Sequence, residues 1–156
     1  MPAPTPGYVK NMIRRSLREI VDPSPTKEEE ERIWKFFDYE CAYCGKPLHK
    51  SQKEAHIDHL LPASLNGSNH ISNRVLSCAT CNEAEKLDGA WQEFIVRKNR
   101  EAGVVQKRIA RIREWQKLNE GHTLDKKKLH EIERLGDLVA TYYDMKVREA
   151  RKLRDS

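Results

Sequence analysis

Two close cysteine pairs constrain this chain more than any other feature. Cys41-Ala-Tyr-Cys44 and Cys78-Ala-Thr-Cys81 are two C-x-x-C units with 33 residues between them. They can form two small disulfides, a redox pair, or one four-thiolate metal site. A C-x-x-C disulfide closes a tiny loop and staples little. No apolar secretion-signal core follows the N-terminus, so the expected compartment is the reducing cytoplasm, where structural disulfides are rare. Four thiolates around one ion close a long loop and match tetrahedral zinc. The expectation is a segment braced by Zn²⁺ on Cys41, Cys44, Cys78 and Cys81.

The rest of the chain divides around that brace. Tyr8, Met12, Ile13, Leu17, Ile20 and Val21 recur at helical spacing until Pro23 and Pro25 stop them. Thr26-Lys27-Glu28-Glu29 is a capping box that opens a second helix carrying Ile33, Trp34, Phe36 and Phe37. Residues 41–89 are less helical. Ala55 to Leu61 begins by alternating polar and apolar residues, which predicts a short strand ended by Pro62, and Ile71 to Leu76 predicts a second. Asn66-Gly67 marks the loop between them, and Thr80 to Leu87 predicts a helix. From Ala90 onward three helices are expected. The last is capped by Thr123 and carries Leu129, Ile132, Leu135, Val139, Tyr142 and Met145 on one stripe. The fold class is therefore α+β and mainly helical. An N-terminal helical extension (1–40), a small ββα core (41–89) and a basic C-terminal helical region (90–156) are expected.

Composition narrows the partner class. The net charge of +5 is unevenly spread: residues 1–40 carry 7 basic and 8 acidic side chains, 41–89 carry 5 of each, and 90–156 carry 17 and 11. A basic segment beside a neutral module suits a polyanion, because Lys and Arg contacts to phosphates release counterions. Lys and Arg also simply solvate long helices, so charge alone leaves both readings open. No apolar run approaches the roughly 18–20 residues of a membrane span, so no membrane partner is expected.

One stretch gathers chemistry-bearing side chains: His56, Asp58, His59, Asn73 and Asn82. Phosphodiester hydrolysis needs a base to deprotonate water and a divalent cation to stabilise the leaving oxygen. A neutral imidazole suits the first task near neutral pH. A carboxylate and an amide oxygen are hard ligands for Mg²⁺ or Mn²⁺. The zinc brace would pin the helix bearing Asn82 opposite the strand bearing Asp58.

Asp58-His59-Leu60-Leu61-Pro62, then Asn66-Gly67, then Asn73-Arg74-Val75-Leu76, then Cys78-Ala79-Thr80-Cys81-Asn82 resembles the HNH endonuclease motif, the ββα-metal nuclease class. The likeness is to its branch braced by a four-cysteine zinc, and it covers about a third of the chain. It implies that His59 is the general base, that Asp58 and Asn82 hold the catalytic divalent ion, and that Asn73 fixes the loop. It also implies cleavage of DNA to 5′-phosphate and 3′-hydroxyl ends. The chain departs from the pattern in two places. Asn66-Gly67 stands where many members carry Gly-Gly, and the lysine often found three residues after the final Asn comes one later, at Lys86.

His56, two residues before Asp58, and Lys86 are auxiliary candidates. Arg97, Lys98, Arg100, Lys107, Arg108, Arg111 and Arg113 are candidate contacts to the backbone of double-stranded DNA. Two other readings stay open: a zinc-braced nucleic-acid-binding module without catalysis, and the same chemistry on RNA. A homodimer is open as well, since cutting both strands with one site per chain often takes two chains.

Overall fold

We describe a computed structural model of the 156-residue chain over residues 4–51, 53–121 and 125–155. It is mostly helical with one two-stranded antiparallel sheet, the α+β class expected. The elements are α1 (Pro6–Val21), α2 (Lys27–Phe36), β1 (Ala55–His59), β2 (Arg74–Cys78), α3 (Trp91–Lys98), α4 (Ala102–Leu118) and α5 (Lys126–Asp155). Short 3₁₀ turns at Ala63–Leu65 and Ile71–Asn73 and a π-helical segment at Thr80–Lys86 complete the order. None of the described helices is long and apolar enough to cross a membrane.

The chain forms two compact units, Met1–Pro23 with Thr123–Ser156, and Ser24–His122. In the first, α1 packs along α5. Thr5 caps α1 by accepting the Tyr8 N–H, and proline occupies its first turn. Arg14 pairs with Asp137 at 2.9 Å and Lys10 with Asp144 at 2.7 Å. The helices meet through small residues: Ala140 is buried, and a Cβ on Gly136 would lie 3.3 Å from Arg14 Cγ. The stripe read from the sequence is therefore split. Leu129 is buried, whereas Leu135, Val139, Tyr142 and Met145 are exposed, because close approach along Gly136 and Ala140 turns them away from α1. Thr123, the expected cap of α5, lies outside the described residues. Asp125 accepts the N–H groups of Lys127 and Lys128 at the start of α5.

The second unit holds the larger core. The capping box of α2 forms as the sequence predicts: Thr26 accepts the Glu29 N–H, and Glu29 accepts the Thr26 N–H. After α2, Asp38 and Tyr39 take left-handed backbone with φ of 51° and 59°, turning the chain into the first cysteine pair. Strand β1 pairs with β2 in a register that sets Asp58 against Val75 and His59 against Arg74. Ile33, Phe37, Leu60, Ile71, Val75, Leu76, Phe94, Ile95 and Ile112 are buried in one cluster. Trp115 of α4 stacks on Phe36 with ring centroids 4.8 Å apart. Its indole N–H donates to Ile71 O at 3.1 Å and Arg74 O at 2.8 Å. Helix α4 is thereby tied to the residues that lead into β2.

Candidate active site

The two cysteine pairs converge. All four Sγ atoms lie within 4.8 Å of one another, and Cys44 Sγ and Cys78 Sγ are 3.9 Å apart. A tetrahedral zinc at its usual Zn–S distance of about 2.3 Å needs sulfurs roughly 3.8 Å apart, so this donor set fits such an ion. Cys41, Cys78 and Cys81 are buried. Hydrogen bonds from Cys44 and then Cys81 hold the Cys41 thiol far below the usual thiol range. The same contact to Cys41 pushes Cys44 up to about 11 and is the main cause that drives Cys81 higher still. The first knuckle is closed by backbone bonds, Cys41 N–H to Lys46 O and Gly45 N–H to Cys41 O. Gly45 supplies the left-handed turn with φ of 76°. Ala42 N–H donates to Leu76 O, which fastens the knuckle to β2.

Beside this cluster, Asp58, His59, Asn82 and Lys86 line one cleft of about 540 Å³ together with Pro62, Ala63, Ser64, Leu87 and Asp88. Asp58 and His59 come from the end of β1, where the chain bends away at Leu60 to Pro62. Asn82 and Lys86 come from the π-helical segment. Its i→i+5 bonding adds about one residue per turn relative to an α-helix. The residue that shares a face with Asn82 therefore moves from three or four positions along to four or five. Lys86, four positions after Asn82 in this segment, borders the same cleft.

Asp58 Oδ2 accepts the Tyr43 hydroxyl at 2.7 Å and forms an ion pair with the Lys86 ammonium at 3.0 Å. Burial, and secondly the Asp58 charge, raise the Tyr43 hydroxyl well above its ordinary range and keep it a donor. Lys86 Nζ also donates to His59 O at 2.9 Å and Leu87 O at 3.3 Å. His59 Nε2 lies 2.9 Å from Asn69 Oδ1, and Arg74 Nη1 lies 2.6 Å from His59 Nδ1 and also meets Nε2. Guanidinium and a carboxamide oxygen fix the tautomer: Nε2 donates to Asn69 Oδ1, and Nδ1 is the nitrogen that accepts from Arg74. The side-chain hydrogen bonds of Asn73 go to the loop rather than to His59. Its amide accepts the Leu61 N–H and donates to Leu61 O and Ser68 O, which ties the two ends of the loop together. Asn66 is left-handed with φ of 62°. A Cβ on Gly67 would come within 1.8 Å of Leu61 O, so the glycine is required by close backbone approach.

The remaining candidates divide by their contacts. His56 Nε2 lies 3.3 Å from Glu83 Oε1. Lys98 pairs with Glu85 at 2.6 Å, which raises the lysine above its usual range, and Arg97 donates to Glu85 O. Arg111 pairs with Asp38 and donates to Phe36 O. The Arg108 guanidinium lies over Gly45. Arg100, Lys107 and Arg113 are exposed. Tyr43, Asn69, Arg74 and Asp88 escaped the sequence reading. The signal for Arg74 was available, since antiparallel pairing beginning after Asn73 sets it opposite His59. Nothing local marks Tyr43 as a partner of Asp58.

Residues 41–86 match the family model described as HNH endonuclease. No curated protein matches the chain.

Proposed function

We propose that this protein is a metal-dependent HNH endonuclease that hydrolyses DNA phosphodiester bonds. The observation that carries the reading is one cleft lined by a histidine, a carboxylate and a carboxamide, beside a cluster of four thiols and within the stretch that matches the family model. The thiol cluster braces the fold as a zinc site and takes no part in the chemistry. Asp58 and Asn82 offer hard oxygen donors to a divalent cation such as Mg²⁺ or Mn²⁺. When bound, that cation supplies charge stabilisation for the departing 3′-oxygen.

The chain's own residues then do the following. His59 takes a proton from water through Nδ1 once the Arg74 guanidinium has left that nitrogen for the entering phosphate, and the water oxygen attacks phosphorus in line. Asn69 holds the ring by its other contact, and Asn73 keeps the loop that follows His59 closed. Arg74, which neighbours the imidazole, supplies a positive charge that the scissile phosphate draws off the ring. The exposed Arg100, Lys107 and Arg113 are available to the duplex backbone, while Lys98 and Arg111 are spent on Glu85 and Asp38. The products are a 5′-phosphate and a 3′-hydroxyl.

A plasmid assay tests this. Supercoiled DNA is incubated with the zinc-loaded protein and Mg²⁺ or Mn²⁺, beside the His59→Ala variant. Conversion to nicked or linear DNA by wild type alone is the expected result, and linear product at first order in a pre-formed dimer identifies a two-chain cutter. Uncut DNA in the presence of binding overturns the enzyme in favour of a binding module. Cleavage of RNA alone overturns the DNA assignment.

A further inference from the structure

Two buried polar groups have no task in the cleavage step, and both end on the same atom. The Lys86 side chain is 1% exposed and that of Asp58 is 9%. The ammonium donates to His59 O and Leu87 O and pairs with the Asp58 Oδ2 charge. These three inward contacts hold it at the cleft lining. Tyr43 is fully buried, and its hydroxyl has one acceptor, the same Asp58 Oδ2. The carboxylate is thus divided. Oδ2 carries the Tyr43 hydrogen bond and the Lys86 ion pair, and Oδ1 has neither of them.

We propose that Tyr43, together with Lys86, positions Asp58 by fixing Oδ2 inward so that Oδ1 is presented to the divalent ion of the cleft. The inference rests on the nuclease reading above. A free aspartate rotates about χ2 and offers either oxygen, whereas a charge-assisted hydrogen bond and an ion pair on one oxygen remove that freedom before the ion arrives. The second consequence is a link between the two candidate metal sites. Tyr43 is the third residue of Cys41-Ala-Tyr-Cys44, its ring stands edge-on to Phe94 at 5.4 Å, and its carbonyl accepts from Asn99 Nδ2 at 3.0 Å. The closed knuckle therefore sets where the hydroxyl points. A residue inside the thiol brace thereby orders the ion-binding carboxylate through one hydrogen bond.

The alternative is that Tyr43–Asp58–Lys86 is merely a satisfied buried network that supports the fold. Metal affinity separates the two. Zinc-loaded wild type and Tyr43→Phe are titrated with Mn²⁺, and free Mn²⁺ is read by electron paramagnetic resonance. The ring and its packing survive in Tyr43→Phe, so zinc content is expected to stay equal, while Mn²⁺ binds about tenfold more weakly for the loss of a bond to a charged group. In the cleavage assay the half-saturating Mn²⁺ rises by the same factor while the rate at saturating Mn²⁺ is largely kept. Equal Mn²⁺ affinity in the two proteins overturns the proposal and leaves the nuclease reading standing. A zinc-loaded wild type that takes up no Mn²⁺ overturns both. A second measurement needs no variant: substoichiometric Mn²⁺ is expected to broaden the ring resonances of selectively labelled Tyr43 in wild type. Sharp Tyr43 lines in the Mn²⁺ complex refute the placement.

Discussion

The loop between β1 and β2 makes a quantitative claim at Gly67. Its backbone is not in the left-handed region, so alanine is admissible there on conformational grounds alone. The obstacle is contact. An added Cβ would sit 1.8 Å from Leu61 O, 2.6 Å from Leu61 C and 2.8 Å from Pro62 O, against the 3.0 Å that real Cβ atoms keep. All three atoms are backbone, so no side chain can swing aside. Relief requires the 61–67 loop to open by about 1 Å at the cost of the bonds that close it. Those are Gly67 N–H to Pro62 O at 2.9 Å and the Asn73 clamp on Leu61, 2.9 Å in both directions. Losing two or three such bonds at about 1 kcal/mol each, less about 0.5 kcal/mol gained from the stiffer unfolded chain, predicts a net destabilisation of about 2 kcal/mol for Gly67→Ala. For a unit of this size that lowers the melting temperature by roughly 10 °C. The loop continues from His59 through Leu60, so a shift of about 1 Å also predicts a cleavage rate lower by about 100-fold. Thermal melts followed by near-ultraviolet circular dichroism, plasmid nicking and zinc analysis check all three quantities. A variant that melts within about 2 °C of wild type and nicks normally refutes the claim that this close approach holds the base in place.

Removing zinc with a strong chelator is expected to abolish cooperative unfolding of the Ser24–His122 unit, because structural zinc contributes about 10 kcal/mol or more, as much as a whole domain's stability. A chelated protein with an unchanged melt contradicts the brace. Trp115→Phe leaves Ile71 O and Arg74 O without their indole donor and should cost about 2 kcal/mol in urea unfolding; an unchanged midpoint counts against that tie. Asn69→Ala is expected to lower the cleavage rate about tenfold with Mn²⁺ affinity unaltered, and an unchanged rate removes Asn69 as the residue that orients His59. In the other unit, Ala140→Leu should overpack the α1–α5 contact by about 1–3 kcal/mol and speed proteolysis of α1. The exposed Leu138→Ala should change stability by less than about 0.5 kcal/mol, and the reverse order would refute the described packing.

What the sequence disclosed and what it hid follow from the range of the interactions. The capping box at Thr26, the left-handed Asn66 and Gly45, and the paired strands are set by neighbours within a few residues, where local patterns are informative. The convergence of four cysteines is long-range, yet it was legible because thiol chemistry leaves few other uses for two C-x-x-C units. Asp58, His59 and Asn82 share a cleft through a motif whose spacing carries the geometry. The π-helical segment was invisible, since Thr80–Lys86 spans too few residues to tell one helical period from another. Charge counting could not rank the basic residues, because the pairing of Lys98 with Glu85 and Arg111 with Asp38 joins separate elements. The apolar stripe of α5 misled for a related reason. A hydrophobic count favours Leu and Val, whereas the contact is made where Gly136 and Ala140 let two helices approach.

Tyr43 is the instructive case. In sequence it is an aromatic inside a C-x-x-C unit, and its hydrophobicity alone accounts for its burial. Its hydroxyl acquires a purpose only after Ala42 is bonded to Leu76 and β2 is paired with β1, which brings it to the one carboxylate on the inner face. A phenylalanine would satisfy every local rule at that position and would leave Asp58 Oδ2 to Lys86 alone. The hydroxyl is therefore the part of the knuckle that core packing does not require.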